Sequence, residues 1–252
     1  MNKKTLLKIN LLIAIAIFPL TSMAQADIKV DVQKAMVASI REDADRAADV
    51  YRKPDVALSF FGLKNDMRVI ELIPGGGYYT KILGQVLNDK GQLYLGADGK
   101  SVADKLAGWG LGKVQVLDDK FVSTKTDKKG YNTVAPFAFP VKDVDMVLTF
   151  RNMHNMSPEG RKVLNTAVFN ALKSGGIYGV VDHTRRHMEE WNEVRWRRVD
   201  PVAMIKELQE VGFVFVDYSE LAAQPNDNLT LDSTHESLKR NSDNFTLKFR
   251  KP

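Results

Sequence analysis

The sequence contains no cysteine and only four histidines among its 252 residues. Without cysteine the chain forms no disulfide bonds, and a lipid anchor on cysteine, a cysteine nucleophile and a thiolate metal site are not expected. The histidines share no metal-ligand spacing, so we predict that no metal is bound. They are His154, His183, His187 and His235.

Long hydrophobic runs are also scarce, and the longest one lies near the N-terminus. Residues 9–20 are apolar apart from one asparagine and one proline, whereas a membrane span needs roughly twenty such residues. Three lysines precede this apolar segment, and Ala24-Gln25-Ala26 supplies a small-residue cleavage site after it. We therefore predict a signal peptide at residues 1–26, cleaved after Ala26, and a periplasmic or secreted protein without a stable membrane anchor. An uncleaved anchor is the alternative.

The excess of positive charge is small. There are 36 lysines and arginines against 31 acids, and the predicted leader holds three lysines and no acid. The mature chain would therefore carry 33 basic and 31 acidic residues, a net charge of +2. Such a charge gives no reason to expect a nucleic-acid partner. With 44% hydrophobic and 27% charged residues, the composition is that of a soluble globular protein.

Helical and strand patterns alternate along the mature chain. Apolar positions at helical spacing over 31–52 predict one helix, and residues 54–61 predict a second helix that Gly62 ends. This alternation predicts a doubly wound α/β sheet with helices on both faces. The predicted strands are 67–73, 92–95, 113–117, 144–150, 177–182, 213–217 and 245–249, and the later helices are 79–87, 158–172 and 201–211.

The C-terminal part of the chain departs from the alternation. No helix is predicted between the last two strands, and strands joined without a crossover helix pair antiparallel. The sheet is therefore expected to be mixed at this edge. We predict a single domain over 27–252, with N-terminal helices at 27–62 and a Rossmann-like core at 63–252.

A glycine cluster follows the first predicted strand, in the segment Glu71-Leu72-Ile73-Pro74-Gly75-Gly76-Gly77. Glycine lets the backbone turn sharply and approach a ligand closely, and ligands of open α/β sheets bind beyond the carboxyl ends of the strands. A tight strand–helix turn without a ligand is the alternative. We expect Gly77→Val to abolish ligand binding by filling space that a cofactor needs.

This loop fits neither common phosphate-binding motif. A dinucleotide loop needs a third glycine where Thr80 stands, and a nucleoside triphosphate loop needs a Lys-Ser/Thr pair where Tyr78-Tyr79 stands. Glu71 would repel phosphates but suits an ammonium or hydroxyl group. S-adenosylmethionine, with an α-amino group and free ribose hydroxyls, meets that description.

The segment from Glu71 to Thr80 resembles the first motif of class I S-adenosylmethionine-dependent methyltransferases, and it is more similar still to an exported bacterial branch of predicted methyltransferases. Residues 150–155, 172–176 and 246–249 also fit that branch, so the resemblance spans about residues 37–252. It implies a seven-stranded, mostly parallel sheet with an antiparallel last strand, and S-adenosylmethionine as the cofactor.

The resemblance implies roles for individual residues. The glycine loop would wrap the methionine part of the cofactor, with Glu71 near its amino group. The acid that normally ends the second strand and binds the ribose is replaced by Ala97, with Asp98 one residue later. Asp118 or Asp119 resembles the acid that contacts adenine, although either could be a solvated loop acid. The implied cofactor-binding residues are Glu71, Pro74, Gly75, Gly76, Gly77, Asp98, Asp119, Arg151 and Asn152.

The segment 151–155 lies where these enzymes place substrate and catalytic groups. Histidine in general titrates near neutral pH, so His154 suits a general base; a histidine that only braces the loop is the alternative. The further catalytic candidates are Asn155 and, in the dipeptide Asp182-His183 that ends the fifth strand, His183.

An exported location conflicts with the use of this cofactor, because S-adenosylmethionine is made in the cytoplasm. The sequence therefore leaves several hypotheses open. The protein is a working methyltransferase for an unspecified small-molecule or envelope acceptor, a non-catalytic binding protein for a nucleoside or other small ligand, or an envelope interaction protein with a vestigial pocket. A different enzyme on the same scaffold is a weaker fourth hypothesis.

Overall fold

The computed structural model describes the backbone from Leu20 and the side chains from Ile28, both through Pro252. The predicted signal peptide lies outside the residues whose side chains are described, so cleavage after Ala26 stays a prediction. Within the described part of the chain, no helix combines the length and the apolar character needed to cross a membrane.

Seven helices and nine strands occur between Leu20 and Pro252. The helices are α1 (Leu20–Met36), α2 (Asp43–Arg52), α3 (Pro54–Phe61), α4 (Tyr78–Val86), α5 (Ala103–Leu106), α6 (Pro158–Ala171) and α7 (Pro201–Val211). The strands are β1 (Arg68–Leu72), β2 (Gln92–Gly96), β3 (Gln115–Val116), β4 (Ser123–Thr124), β5 (Thr133–Val134), β6 (Val144–Phe150), β7 (Leu172–His183), β8 (Val214–Ser219) and β9 (Asn244–Arg250).

Seven of these strands form one sheet in the order β3-β2-β1-β6-β7-β9-β8, while β4 and β5 form a separate small hairpin. Strand β9 runs antiparallel to both of its neighbours, β7 and β8, and the other pairings are parallel. The predicted Rossmann-like sheet, mostly parallel with an antiparallel last strand, is confirmed. The strand order reverses between β1 and β6, which is where such sheets bind ligands.

Side chains alternate across the sheet and form two cores. On β1, Val69 packs into the core with α1, α3 and α4, whereas Ile70 packs into the core with α6 and α7. Strand β6 repeats the pattern with Met146 and Val147. Helices therefore cover both faces, as predicted, and the carboxyl ends of the central strands are left as the place for a site.

Caps fix where the later helices begin and end. The side chain of Ser157 accepts a hydrogen bond from Gly160 N and precedes Pro158 at the first helical position of α6. Helix α7 begins in the same way after Asp200 and ends at Gly212, whose φ of 115° favours glycine.

The helix predicted over 31–52 is wrong, because the chain breaks between α1 and α2. Arg41, in the break, is only 1% exposed. Its guanidinium donates to Met36 O at 2.9 Å and to both carboxylate oxygens of Asp49 at 2.6 and 2.9 Å. A buried charge needs such partners, and the turn around Arg41 supplies them at the cost of helical continuity.

The predicted turn at 174–176 falls inside β7 rather than before it. The pairing with β6 shifts there, since Val144 pairs with Leu172 whereas Met146 pairs with Ile177. Gly175 has a φ of 77° in this irregularity. The predicted strand of residues 177–182 is the regular part of β7.

Candidate functional site

The glycine loop joins β1 to α4 and presents an open face. Gly75 and Gly76 are exposed, and a Cβ added at either would meet no atom within 4 Å. Gly77 is different: its φ is 83°, and a Cβ there would lie 2.4 Å from the Trp109 ring. The expected effect of Gly77→Val therefore has another cause, because the added side chain would strike Trp109 rather than fill ligand space.

Glu71, next to this loop, is 2% exposed. Its Oε2 accepts a hydrogen bond of 2.7 Å from Thr80 Oγ1. Burial raises the pKa of Glu71 to about 7, although the Thr80 hydrogen bond and the charge of Arg52 oppose the shift. A cation beside Glu71 would favour its ionised form.

A cavity of about 150 Å³ lies beyond the ends of β2 and β3, and we call it the aspartate pocket. Asp98, Asp118 and Asp119 line it together with two lysines. Asp98 adopts a left-handed conformation with φ 82°, and burial together with the Asp119 charge raises its pKa. Asp98 therefore lines a cavity at the end of β2, whereas its neighbour Ala97 is fully buried.

Asp119 and Asn152 mainly hold loops together. Asp119 accepts hydrogen bonds from Ala97 N at 2.7 Å and from Phe121 N at 3.1 Å. Asn152 Nδ2 donates to the carbonyl oxygen of Leu72 at 3.2 Å and to that of Ile73 at 3.3 Å. Both side chains therefore shape the loops around the glycine turn, and their predicted contacts with a cofactor stay predictions.

His154 forms a pair with Asp182, a residue that is fully buried. The distance between His154 Nδ1 and Asp182 Oδ1 is 2.6 Å, and His154 N donates to Asp182 Oδ2 at 3.0 Å. A carboxylate accepts a hydrogen bond from an N–H group, so in the neutral imidazole this network assigns the proton to Nδ1 and leaves the lone pair on Nε2. That is the state a general base requires.

Aromatic and backbone groups surround this pair. The ring centroids of His154 and Trp196 lie 5.9 Å apart in an edge-to-face arrangement. Trp196 in turn packs on Gly130, where a Cβ would lie 2.1 Å from the indole. His154 is 8% exposed, and Asn155 lies beside it in a single 3₁₀ turn. This covering would keep water away from the imidazole.

A second cavity, of about 310 Å³, lies beyond β6 and β7, and we call it the arginine basin. Arg52, Arg151 and Arg240 line it together with His183. Arg151 and His183 thus share a cavity, and the residues that line it do not include the glycine loop.

Helix α2 is docked onto the start of α4, which places Arg52 at the basin. Lys81 Nζ donates to Asp45 Oδ2 at 2.7 Å, and Tyr78 OH donates to Asp49 Oδ1 at 2.5 Å. The Arg52 guanidinium lies 4.4 Å from the centroid of the Tyr78 ring. The N-terminal helices are therefore part of the site.

From the sequence, Asp182 was a candidate only together with His183 at the end of the fifth strand, and Arg52 and Arg240 were not candidates. Asp182 had a signal, because an acid directly before His183 ends a predicted strand. The two arginines had none, since their proximity arises only when α2 and the chain after β8 meet at the sheet edge. Within the described residues no group of three or more histidines and acids could hold a metal ion.

No protein-family model matches the chain, and no curated protein matches it in sequence. Solved structures do match. A methyltransferase from Aquifex aeolicus, described as S-adenosylmethionine-dependent, is 15% identical, with 88% of this chain and 97% of that one covered at a TM-score of 0.55. The glycopeptide N-methyltransferase MtfA is 12% identical, with 84% and 100% covered at 0.53, and its complex with S-adenosylmethionine also matches, at 0.50.

The [4+2]-cyclase SpnF is similar as well, with 17% identity, 92% of this chain and 96% of that one covered, and a TM-score of 0.56. At such identities the likeness concerns the fold alone. The chain has the Rossmann-like fold of S-adenosylmethionine-dependent methyltransferases, and one neighbour with that fold is named for a different reaction. The residues of the site, and not the fold alone, therefore determine the function.

Proposed function

We propose that this protein is an exported S-adenosylmethionine-dependent methyltransferase. The observation that supports it most directly is the open face of the Gly75–Gly76 turn at the switch point of the sheet, with Glu71 beside it. An open glycine turn at this position lets a ligand approach the backbone. The likeness in fold to a methyltransferase solved with S-adenosylmethionine supports the choice of ligand.

The residues present fit this cofactor. Glu71 would face its amino group, because a buried carboxyl with a pKa near 7 is readily ionised by a neighbouring cation. Asp98 would accept hydrogen bonds from the ribose hydroxyls in place of an acid at Ala97, since a carboxylate offers two acceptor oxygens. When bound, the cofactor supplies an electrophilic methyl group on a sulfonium.

The chain's own contribution to methyl transfer is alignment and proton removal. His154 Nε2 would accept the proton of an acceptor hydroxyl or amine, and Asp182 would hold the imidazole in the required tautomer and stabilise its charged form. Trp196 would help to exclude water from this pair. Holding two reactants in line contributes much of the rate in such reactions.

A non-catalytic binding protein is the second candidate, and one observation favours it. The Tyr79 ring stacks on Phe150 with centroids 3.5 Å apart. The cavity that these rings line together with Arg52 and Arg151 is only about 10 Å³. The stacked rings leave little open space at this point, and a site with little space favours binding without turnover.

Calorimetric titration of S-adenosylmethionine and S-adenosylhomocysteine into the purified protein tests the proposal. We expect micromolar binding to the natural chain and a loss of at least about tenfold in Gly76→Val, because valine would project into the open face of the turn. Gly112→Val is the matched control, since a Cβ there also meets nothing within 4 Å. A folded protein that binds neither compound would contradict the proposal.

The proposed export has its own test. We expect the protein recovered from the periplasm or medium to begin at Asp27, as determined by N-terminal sequencing. Intact chain found only in the cytoplasm would contradict export and leave the site argument unchanged.

A further inference from the structure

The charged residues of the arginine basin are all of one sign. Arg52 comes from the last turn of α2, Arg151 from the end of β6, and Arg240 from the connection before β9. Among the described residues, no aspartate or glutamate lines this cavity. Three segments far apart in sequence thus bring cations to one place, and a structural role for the arginines would require partners.

Those partners are largely missing. Within the described part of the chain, the side chains of Arg52 and Arg240 make no hydrogen bond or ion pair, although Arg52 contacts the rings of Tyr78 and Tyr79. The Arg151 side chain donates to a described residue only through Nε, to Asn244 Oδ1 at 3.0 Å. The terminal guanidinium nitrogens, which bind oxyanions in pairs, are therefore available.

The crowding of positive charge is visible at two groups. Burial and the neighbouring Arg52 lower the pKa of Arg151 to about 10, which leaves it charged at neutral pH. Burial and the same arginines lower the pKa of His183 well below its usual value, so His183 is neutral. An anion in the basin would relieve this repulsion.

Two serines add neutral hydrogen-bonding groups. Ser233 is 4% exposed, and its Oγ has no partner in the described structure. Ser242 Oγ lies 2.9 Å from His183 Nδ1, which leaves His183 Nε2 without a hydrogen bond among the described residues. Buried polar atoms are normally paired, so Ser233 marks a position where a ligand atom is expected.

We propose that the arginine basin binds an oxyanion, a carboxylate or phosphate group carried by the methyl acceptor. The assignment to an acceptor rests on the proposed methyltransferase function, whereas the oxyanion site rests on the basin alone. The acceptor is favoured over the cofactor as the source because Glu71 and the glycine loop do not line the basin. The rings of His154 and His183 lie 5.5 Å apart, so an acceptor held there would reach the candidate general base.

Titration of sodium acetate and inorganic phosphate into the full chain tests the oxyanion site. We expect at least one of them to bind, and to bind at least about tenfold more weakly to Arg240→Gln. Arg240 is exposed, so the variant should fold, which circular dichroism checks. Arg250→Gln is the control, because Arg250 is exposed at the opposite end of β9. Absence of binding by both anions, or equal affinity in Arg240→Gln, would overturn the proposal.

The same titrations at saturating S-adenosylhomocysteine distinguish the sources of the oxyanion. Unchanged anion binding supports the acceptor. Displacement of the anion, together with weaker S-adenosylhomocysteine binding in Arg240→Gln, would assign the basin to the cofactor's carboxylate and overturn the acceptor. If the protein binds the anion but no S-adenosylhomocysteine, the oxyanion site stands and the methyltransferase proposal fails.

Discussion

The aspartate pocket and the arginine basin lie at the same edge of one sheet, yet they present opposite chemistry. The aspartate pocket lies where β2 and β3 end, and its acids come from the short loops that follow those strands. The basin lies beyond β6 and β7. Many of the residues that line it come from α2 and from the long connection after β8. A hydroxyl-rich ligand suits the first, and an anion suits the second.

This difference shows which part of the fold determines the chemistry of each site. The glycine loop and the aspartate pocket depend on strand ends that the sheet holds in register. The basin depends on segments outside the sheet, which ion pairs hold in place. Substitutions and pH changes that affect one site at a time test this division, and the largest effect is expected from loss of the candidate base.

Replacing the candidate base should separate binding from turnover. We expect His154→Gln to lower turnover by roughly 10²–10⁴-fold, the usual contribution of general acid–base catalysis, with S-adenosylmethionine binding retained. Release of S-adenosylhomocysteine in the presence of envelope extract is the measurement. His187→Gln is the control, because His187 makes a similar pair with Asp200 but is 55% exposed. Normal turnover in His154→Gln would show that the histidine only braces the loop.

Breaking the ion pair behind the basin should destabilise the protein. Arg198 and Asp227 have no exposed side-chain surface, and Arg198 also donates to Leu231 O and Thr184 O. We expect Arg198→Ala to lower the free energy of unfolding by about 3–5 kcal/mol, because it leaves a buried carboxylate unpaired. Urea denaturation measures this change.

Arg197→Ala is the matched comparison for that variant. Arg197 pairs with Asp232, but its side chain is 34% exposed, so we expect a loss of about 1 kcal/mol or less. Equal losses in the two variants would contradict the view that the buried pair holds the basin wall.

Glu71 beside the glycine loop and the arginine basin should also respond differently to pH. The raised pKa of Glu71, about 7, means that the folded protein binds a proton between its usual pKa of 4.5 and 7 that the unfolded chain releases. The contribution of Glu71 to the free energy of unfolding therefore falls as pH rises through that window, and Glu71→Gln removes this slope.

Binding of a cation beside Glu71 favours the ionised form. We expect S-adenosylmethionine affinity to rise as the pH increases from 6 to 7.5, by at most about tenfold per pH unit, and to lose this dependence in Glu71→Gln. Acetate binding in the basin should stay level over the same range, because His183 is neutral and Arg151 charged throughout. Calorimetry at each pH measures both affinities, and parallel profiles would contradict the proposed division between the glycine-loop site and the arginine basin.

Much of the fold could be predicted from the sequence, because its central strands are mostly apolar. The predicted strand 144–150 and the helix 201–211 match β6 and α7 at both ends. The break between α1 and α2 could not be predicted, because the apolar positions on both sides of Arg41 keep helical spacing. Arg41 is buried because its guanidinium binds Asp49 and Met36 O, which the pattern does not indicate.

The candidate site was predictable only in part, for a similar reason. The glycine loop is local in sequence and could be located directly. The His154–Asp182 pair joins residues 28 positions apart, and only the parallel pairing of β6 with β7 brings them together. The basin needs three segments at once, and no pattern in any one of them indicates the others.

The buried pair of Arg198 and Asp227 has a consequence for how this protein can diversify. It holds the irregular connection between β8 and β9 in place, and Arg240 in that connection lines the cavity without a side-chain hydrogen bond or ion pair among the described residues. Substitutions at Arg240 can change what the cavity accepts while the glycine loop and the sheet keep their geometry. The ligand selectivity of the cavity can therefore change in evolution without a change in the fold.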